Sequence, residues 1–143
     1  MCAFCDIAQG RSEAHVVFED AHCVAFLDRR PLFPGHSLLI PRAHHETLID
    51  LPGELVAPLF SAARLLALAV EVGMGAEGTF VAMNNKVSQS VAHLHVHVVP
   101  RRRKDGLRGF FWPRRTYRDE PEAQDAARRV RVAVEELASP GAP

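Results

Sequence analysis

Apolar positions fall in short runs and in one long stretch of helical period. Val16-Val17-Phe18-Glu19 and Cys23-Val24-Ala25-Phe26-Leu27 are β-branched and apolar, and Asp20-Ala21-His22 between them predicts two strands joined by a tight turn. Upstream, Ala3 to Gln9 has mixed helical character and stops at Gly10, which predicts a short helix closed by a glycine. Pro31, Pro34 and Gly35 break any regular element, so an irregular connection leads into a strand at His36–Ile40, which Pro41 ends. From Pro52 to Val72, Leu55, Leu59, Ala62, Leu66 and Ala69 recur at spacings of three and four, and Val56, Phe60, Ala63, Ala67 and Val70 widen the stripe. This is a long helix with a broad buried face, closed by Gly73 and Gly75. A strand at Thr79–Met83, a polar loop at Asn84–Ser90 and a strand at Ala92–Val99 follow. Beyond Asp119-Glu120-Pro121, the spacing of Ala126, Val130, Ala133, Val134 and Leu137 predicts a C-terminal helix, with a frayed tail at 139–143. About five strands, two principal helices and short connections make the class α+β with an antiparallel sheet, in a single domain over 1–138.

Composition adds bounds. A chain of 143 residues, 48% of them hydrophobic, is one domain's worth of material. Its 17 basic and 17 acidic residues cancel, so no overall field draws it to nucleic acid or to a membrane surface. No run approaches the roughly 20 consecutive apolar residues that span a bilayer, and the opening MCAFCDIAQGR lacks a basic segment followed by an apolar one. The expectation is a cytoplasmic protein without a membrane partner. Three cysteines do not suggest a disulfide framework, which leaves metal binding, redox chemistry or packing.

Eight histidines are unusual, and five of them crowd into two segments: His44 and His45, then His93, His95 and His97. In His93-Leu94-His95-Val96-His97 imidazoles alternate with aliphatic side chains, so on a strand all three histidines share one face while Leu94, Val96 and Val98 enter the core. That face is a wet surface, a metal face, or a nucleophile with its acid and base partners. Same-face Cα atoms roughly 6.6 to 6.8 Å apart make convergence of all three on one ion awkward. Cys2 and Cys5 form C-x-x-C, a redox pair, a metal half-site or a coincidence; the absence of a thioredoxin-like βαβ pattern weakens the first. Cys23, on an apolar strand, reads as a small core residue. The tract from Arg101 to Arg118 carries eight Lys or Arg against one Asp, interleaved with Phe110, Phe111, Trp112 and Tyr117, which suits either nucleic acid or a solvated loop.

HLHVHVV fits the histidine triad pattern, and the opening CAFCDI, VFEDAHCVAFLD, PGHSLLIPRAHHETL and NNKVSQSVAH resemble, in order and spacing, the matching parts of bacterial histidine triad (HIT) proteins. The resemblance covers nearly the whole chain. It implies a HIT-like fold and a nucleotide hydrolase or transferase that cleaves at the α-phosphate of nucleoside 5′-phosphate derivatives through a covalent nucleotidyl-histidine. By the same resemblance His95 is the nucleophile and His97 contacts the phosphate, and an adjacent imidazolium can offset phosphate charge and protonate the leaving group. Gln89 and Ser90 hold the phosphate, and Asn84 stands on the phosphate side. Phe4, Ile7, Phe26 and Leu27 wall the base, Asp28 receives the ribose hydroxyls, and His36 braces the triad. Where the family often has glycine this chain has Ser88, which makes backbone donation to phosphate less free.

In many bacterial relatives a C-x-x-C pair joins two histidines around one zinc ion, which implies Cys2, Cys5, His44 and His93 as ligands here, with His45 an alternative beside His44. Two thiolates and two imidazoles form a closed, structural zinc set and leave His95 metal-free. The resemblance further implies a homodimer in which Trp112-Pro113 approaches the partner's active site. Diadenosine polyphosphates or adenosine phosphoramidates are the expected substrates, with an AMP-type nucleotide bound, and transfer from sugar nucleotides is a further option. Two other classes stand beside this one: a nucleotide-binding or interaction protein with negligible turnover, and a zinc-supported nucleic-acid binder using residues 101–118. Balanced charge makes the last the weaker.

Overall fold

The elements run α1 (Ala3–Ala8), β1 (Val16–Glu19), β2 (Cys23–Leu27), β3 (Ser37–Pro41), α2 (Gly53–Met74), β4 (Gly78–Ala82), β5 (Val96–Arg101) and α3 (Glu120–Ala138). The structure, a computed structural model, describes residues 2–108 and 114–138. It divides into two compact units, one ending at Asp105 and the other beginning at Gly106. In the first unit five strands form one antiparallel sheet in the order β1-β2-β3-β5-β4. The class is α+β, as the patterning predicts.

Alternation along the strands sends successive side chains to opposite faces, and each face is covered by a helix. On one face Cys23, Ala25, Leu39, Val96 and Val98, together with Leu94, pack against Leu59, Ala62, Ala63, Leu66 and Val70 of α2. On the other, Val24, Phe26, Leu38 and Ile40 pack with Phe4 and Ala8 of α1. Leu39 and Ile40 are fully buried on opposite faces of β3, each contributing on the order of 1.5–3 kcal/mol by burial. The predicted hairpin matches β1 and β2, and Cys23 is a buried core residue whose thiol burial pushes up to about 11.

The long helix is present, and Gly75 closes it at φ +58, in the left-handed region that glycine enters without a Cβ penalty. Contrary to the run-length reading, α2 is long and apolar enough to cross a membrane by length and composition. Its buried stripe packs on the sheet, and Glu54, Arg64 and Glu71 interrupt its length. A second correction concerns the triad strand. Ladder pairing starts at Val96 rather than Ala92 and continues through Pro100 to Arg101. The reason is local: the Leu94 N–H donates to the His45 carbonyl at 2.7 Å, and the His93 N–H to the Val91 carbonyl at 2.8 Å, so the segment bends around the loop after β3. In the second unit α3 appears where expected, with Val130, Val134 and Leu137 exposed. The expected tail at 139–143 lies outside the described residues.

Candidate active site and metal centre

Although His93 and His95 precede the ladder, side-chain alternation persists through the segment. Leu94, Val96 and Val98 face α2, while the His93 and His95 rings meet the edge of Phe4 on the α1 side, at centroid distances of 6.1 and 5.3 Å. The wet-face alternative fails, because His93 is 0% and His95 3% exposed. Buried imidazoles need hydrogen-bond partners, and the backbone supplies one to each of these rings. His93 donates Nε2–H to the Pro41 carbonyl at 2.9 Å, which leaves Nδ1 as its lone-pair nitrogen. His95 donates Nδ1–H to the His93 carbonyl at 2.7 Å, which leaves Nε2 with the lone pair. At the other end Leu32 N–H donates to His36 Nδ1 at 3.1 Å, so His36 carries its proton on Nε2 and donates it to His97 Nδ1 at 2.9 Å. His97 therefore holds its own proton on Nε2. His36 braces the triad as expected.

Among the described residues two clusters of side chains have metal-ligand composition, and these tautomers separate them. In the first, the ligand atoms of Cys2, Cys5, His44 and His93 all lie within 4.8 Å of one another. His93 Nδ1 is 3.5 Å from each thiol, and His44 Nδ1 is 3.3 Å from Cys5 Sγ. Bonds of about 2.3 Å to sulfur and 2.0–2.1 Å to nitrogen in a tetrahedron put such atoms roughly 3.5 Å apart. His93 Nδ1 is unprotonated and aimed by the Pro41 carbonyl, the usual arrangement behind a zinc-bound imidazole. These residues fit a closed zinc site. Burial and the neighbouring Cys2 push the Cys5 thiol up, and a cation bound at such a set displaces the thiol proton. His45 is not in the cluster; its carbonyl serves Leu94. In the second cluster, Asp28, His36 and His97, the proton that Leu32 forces onto His36 Nε2 occupies the place an ion would need. In that tautomer the two rings share a hydrogen bond instead of presenting two open ligand nitrogens.

The second cluster opens onto a cleft of about 1030 Å³. Phe4, Ile7, Phe26, Leu27 and Asp28 line it together with Ser90, His95 and His97, so the residues assigned to base, ribose and phosphate share one cavity. Asp28 Oδ1 accepts the Arg30 N–H at 2.9 Å, and Oδ2 is 3.7 Å from His36 Nε2. His97 is not an imidazolium here. Burial, then the neighbouring His95 and His36, lower it to about 4, so at neutral pH it is a neutral N–H donor. Burial lowers His36 as well, with Asp28 opposing. Glu13, His15 and Arg29 also line the cleft and were not singled out from sequence. The Leu27 N–H donates to the His15 carbonyl at 3.0 Å and Arg29 Nη2 to the Glu13 carbonyl at 3.1 Å, which bring that segment to the rim.

Gln89 and Asn84 are not among the cleft-lining residues. Gln89 accepts the Lys86 N–H at 2.8 Å and donates to the Glu46 carbonyl, and Asn84 Nδ2 donates to the Ser88 carbonyl at 3.2 Å. Both side chains shape the loop before the triad. Ser88 sits at φ +61, a left-handed conformation that glycine adopts without a Cβ penalty. In the basic tract, Arg101 and Arg102 bond to Asp105, Arg102 also reaches the Met74 carbonyl, and Arg103 lies 3.9 Å from Glu77. The Arg101 and Arg102 guanidiniums are engaged in holding the fold, which weakens the nucleic-acid reading, while the Arg103 side chain is exposed. Phe110, Phe111, Trp112 and Pro113 lie outside the described residues.

Comparison with known proteins agrees with this geometry. The HIT domain matches residues 9–104. A solved HIT family structure from Bacillus subtilis superposes with a TM-score of 0.84 at 33% identity, covering 97% of this chain and 99% of that one. A Zn-bound histidine triad family protein from Mycobacterium smegmatis is 35% identical with a TM-score of 0.71, covering 94% and 97%. Arabidopsis thaliana adenylylsulfatase HINT3 is 36% identical over 108 residues, 74% of this chain and 55% of that protein. With the domain matched across most of its length and the triad, cleft and Cys/His cluster in place, the chain belongs to the histidine triad (HIT) family.

Proposed function

We propose that this protein cleaves nucleoside 5′-phosphate derivatives at the α-phosphate, with His95 as nucleophile. One observation carries the proposal: the His93 carbonyl takes the His95 Nδ1 proton, so a neutral Nε2 lone pair is available beside the cleft without a strong base. Nε2 attacks phosphorus as the bond to the leaving group breaks, and the electron pair departs with that group. His97 Nε2–H donates a hydrogen bond to the leaving atom or to a phosphate oxygen. Water then attacks phosphorus, the phosphorus–nitrogen bond breaks with its electron pair returning to His95 Nε2, and the water's proton passes to solvent as a nucleoside monophosphate is released. Asp28 accepts the ribose hydroxyls, and Phe4, Ile7, Phe26 and Leu27 enclose the base. Ser90 meets the phosphate, while Gln89 and Asn84 hold the loop that presents it. Cys2, Cys5, His44 and His93 would hold a zinc ion, which would supply structural cross-linking. The Arabidopsis relative's name, adenylylsulfatase, supports chemistry at a nucleotide phosphate. Diadenosine polyphosphates and adenosine phosphoramidates are the substrates of first choice.

The dimer belongs to the same proposal. Val56, Phe60, Leu65, Leu68 and Val72 expose an apolar face on α2, and β4 is an edge strand with Val81 exposed. Such a face and edge suit a second copy of this chain, which sedimentation velocity at micromolar concentration tests; a monomer throughout removes the dimer.

Turnover of the two substrate classes by wild type and His95→Ala at matched zinc content tests the chemistry. Wild type should release AMP, and the variant should lose more than the roughly 10²- to 10⁴-fold typical of lost acid–base help while still binding AMP. Binding without turnover by either protein would favour the binding-module reading.

A further inference from the structure

The Cys/His cluster and the nucleotide cleft share parts. Helix α1 is six residues long, with Cys2 at its N-cap and Cys5 within it, and between those thiols its Ala3 and Phe4, then Ile7, line the cleft. Phe4 is 9% exposed and edge-packed on three rings: His93 of the cluster, His95 of the cleft and Phe26 of the cleft wall. His93 spans both sites through one residue, since its side chain faces the thiols while its carbonyl holds the His95 Nδ1–H. At the far end of α1, Arg42 donates to the Ala8 carbonyl at 3.1 Å and to Glu19 at 2.8 Å, which ties the helix C-terminus to β1. The N-terminus of α1 has no side-chain cap, and the two thiols, with the Phe4 ring, meet the triad segment there.

We propose that Phe4 and His93 are positioning residues that link the two sites thermodynamically: a metal in the Cys/His cluster tightens nucleotide binding in the cleft, and nucleotide tightens metal binding. Cross-linking the thiols to His93 sets α1 against the triad segment, which fixes the Phe4 ring against His95 and Phe26. A cleft whose wall is already placed needs less ordering when nucleotide enters. Linkage is reciprocal, so the same factor must appear when the metal is titrated in the presence of nucleotide. This rests on the proposal that the cleft binds nucleotide.

The test is zinc affinity, measured on the full chain by competition with a chromogenic chelator, with and without saturating AMP. AMP should raise zinc affinity by about fivefold or more, the lower end of ordinary coupling between sites. In Phe4→Leu, which keeps every proposed ligand, the factor should fall toward one at saturating AMP. AMP binding shown by His95 imidazole nitrogen shifts, with zinc affinity unchanged, overturns the linkage and leaves the cleft reading intact. No AMP binding by the zinc-loaded protein overturns the cleft reading and the linkage with it. A coupling that persists undiminished in Phe4→Leu would come from folding alone and would overturn the positioning role. Failure to bind zinc would remove the cluster and the inference together.

Discussion

His93 and His97 lie four residues apart in one segment, each buried or half-buried, each with a second histidine and an anionic side chain or thiol close by, yet they are set for opposite chemistry. At His93 a carbonyl, that of Pro41, takes the Nε2 proton and leaves Nδ1 bare toward two thiols. At His97 the chain of donors begins with a backbone N–H, that of Leu32, and the proton it forces onto His36 fills the space between the two rings. A carbonyl behind an imidazole prepares it for a cation; an N–H behind the partner imidazole prepares the pair to hold a proton. Residue type does not distinguish these clusters, and hydrogen-bond direction does.

The largest way to break the comparison is to remove a thiol. Cys5→Ser should abolish stoichiometric zinc and cost on the order of 3 kcal/mol, roughly 10 °C in Tm, because binding energy at a closed site is folding energy. Metal analysis and thermal unfolding check it, and a stable, zinc-free wild type would remove the metal half of the contrast. A smaller effect comes from acid. His97 drops from 6.5 to about 4 on folding, so the fold favours its neutral ring and the unfolded chain binds more protons between those values. Its contribution is complete above pH 6.5 and is lost as pH falls toward 4, with a size on the order of 2 kcal/mol. Subtracting the unfolding free energies of His97→Gln from those of wild type across this range isolates it from metal loss at the thiols. The smallest expected effect sharpens the proton half alone. His36→Asn should lower kcat by about 10- to 100-fold, the range for losing a group that orients a functional imidazole, with zinc content unchanged. Zinc loss in that variant would show that the clusters are not separate.

Much of this was legible beforehand, for a physical reason. Period-two alternation and β-branched runs located the hairpin, β3 and β4 within a residue or so, because burying one face of a strand constrains every second side chain. The stripe from Leu55 to Val70 located α2 in the same way. The spacing of His93, His95 and His97 put all three on one side and Leu94, Val96 and Val98 on the other. What spacing did not reveal is where backbone pairing begins. Pairing starts only at Val96, since the Leu94 N–H is taken by a loop carbonyl 49 positions away in the chain.

Sequence by itself determined the α+β class, the histidine row, the family and the composition of the Cys/His set, because these depend on residue types and short spacings. Tertiary structure alone decided the protonation pattern. Pro41, His93 and Leu32 act through backbone groups that every sequence offers at every position, and only folding selects which of them meets which ring nitrogen. It also decided that Gln89 and Asn84 brace a loop, that Glu13, His15 and Arg29 reach the cleft rim, and that His97 is neutral in the unliganded site. Those outcomes depend on burial and on contacts between distant segments, which local pattern does not carry.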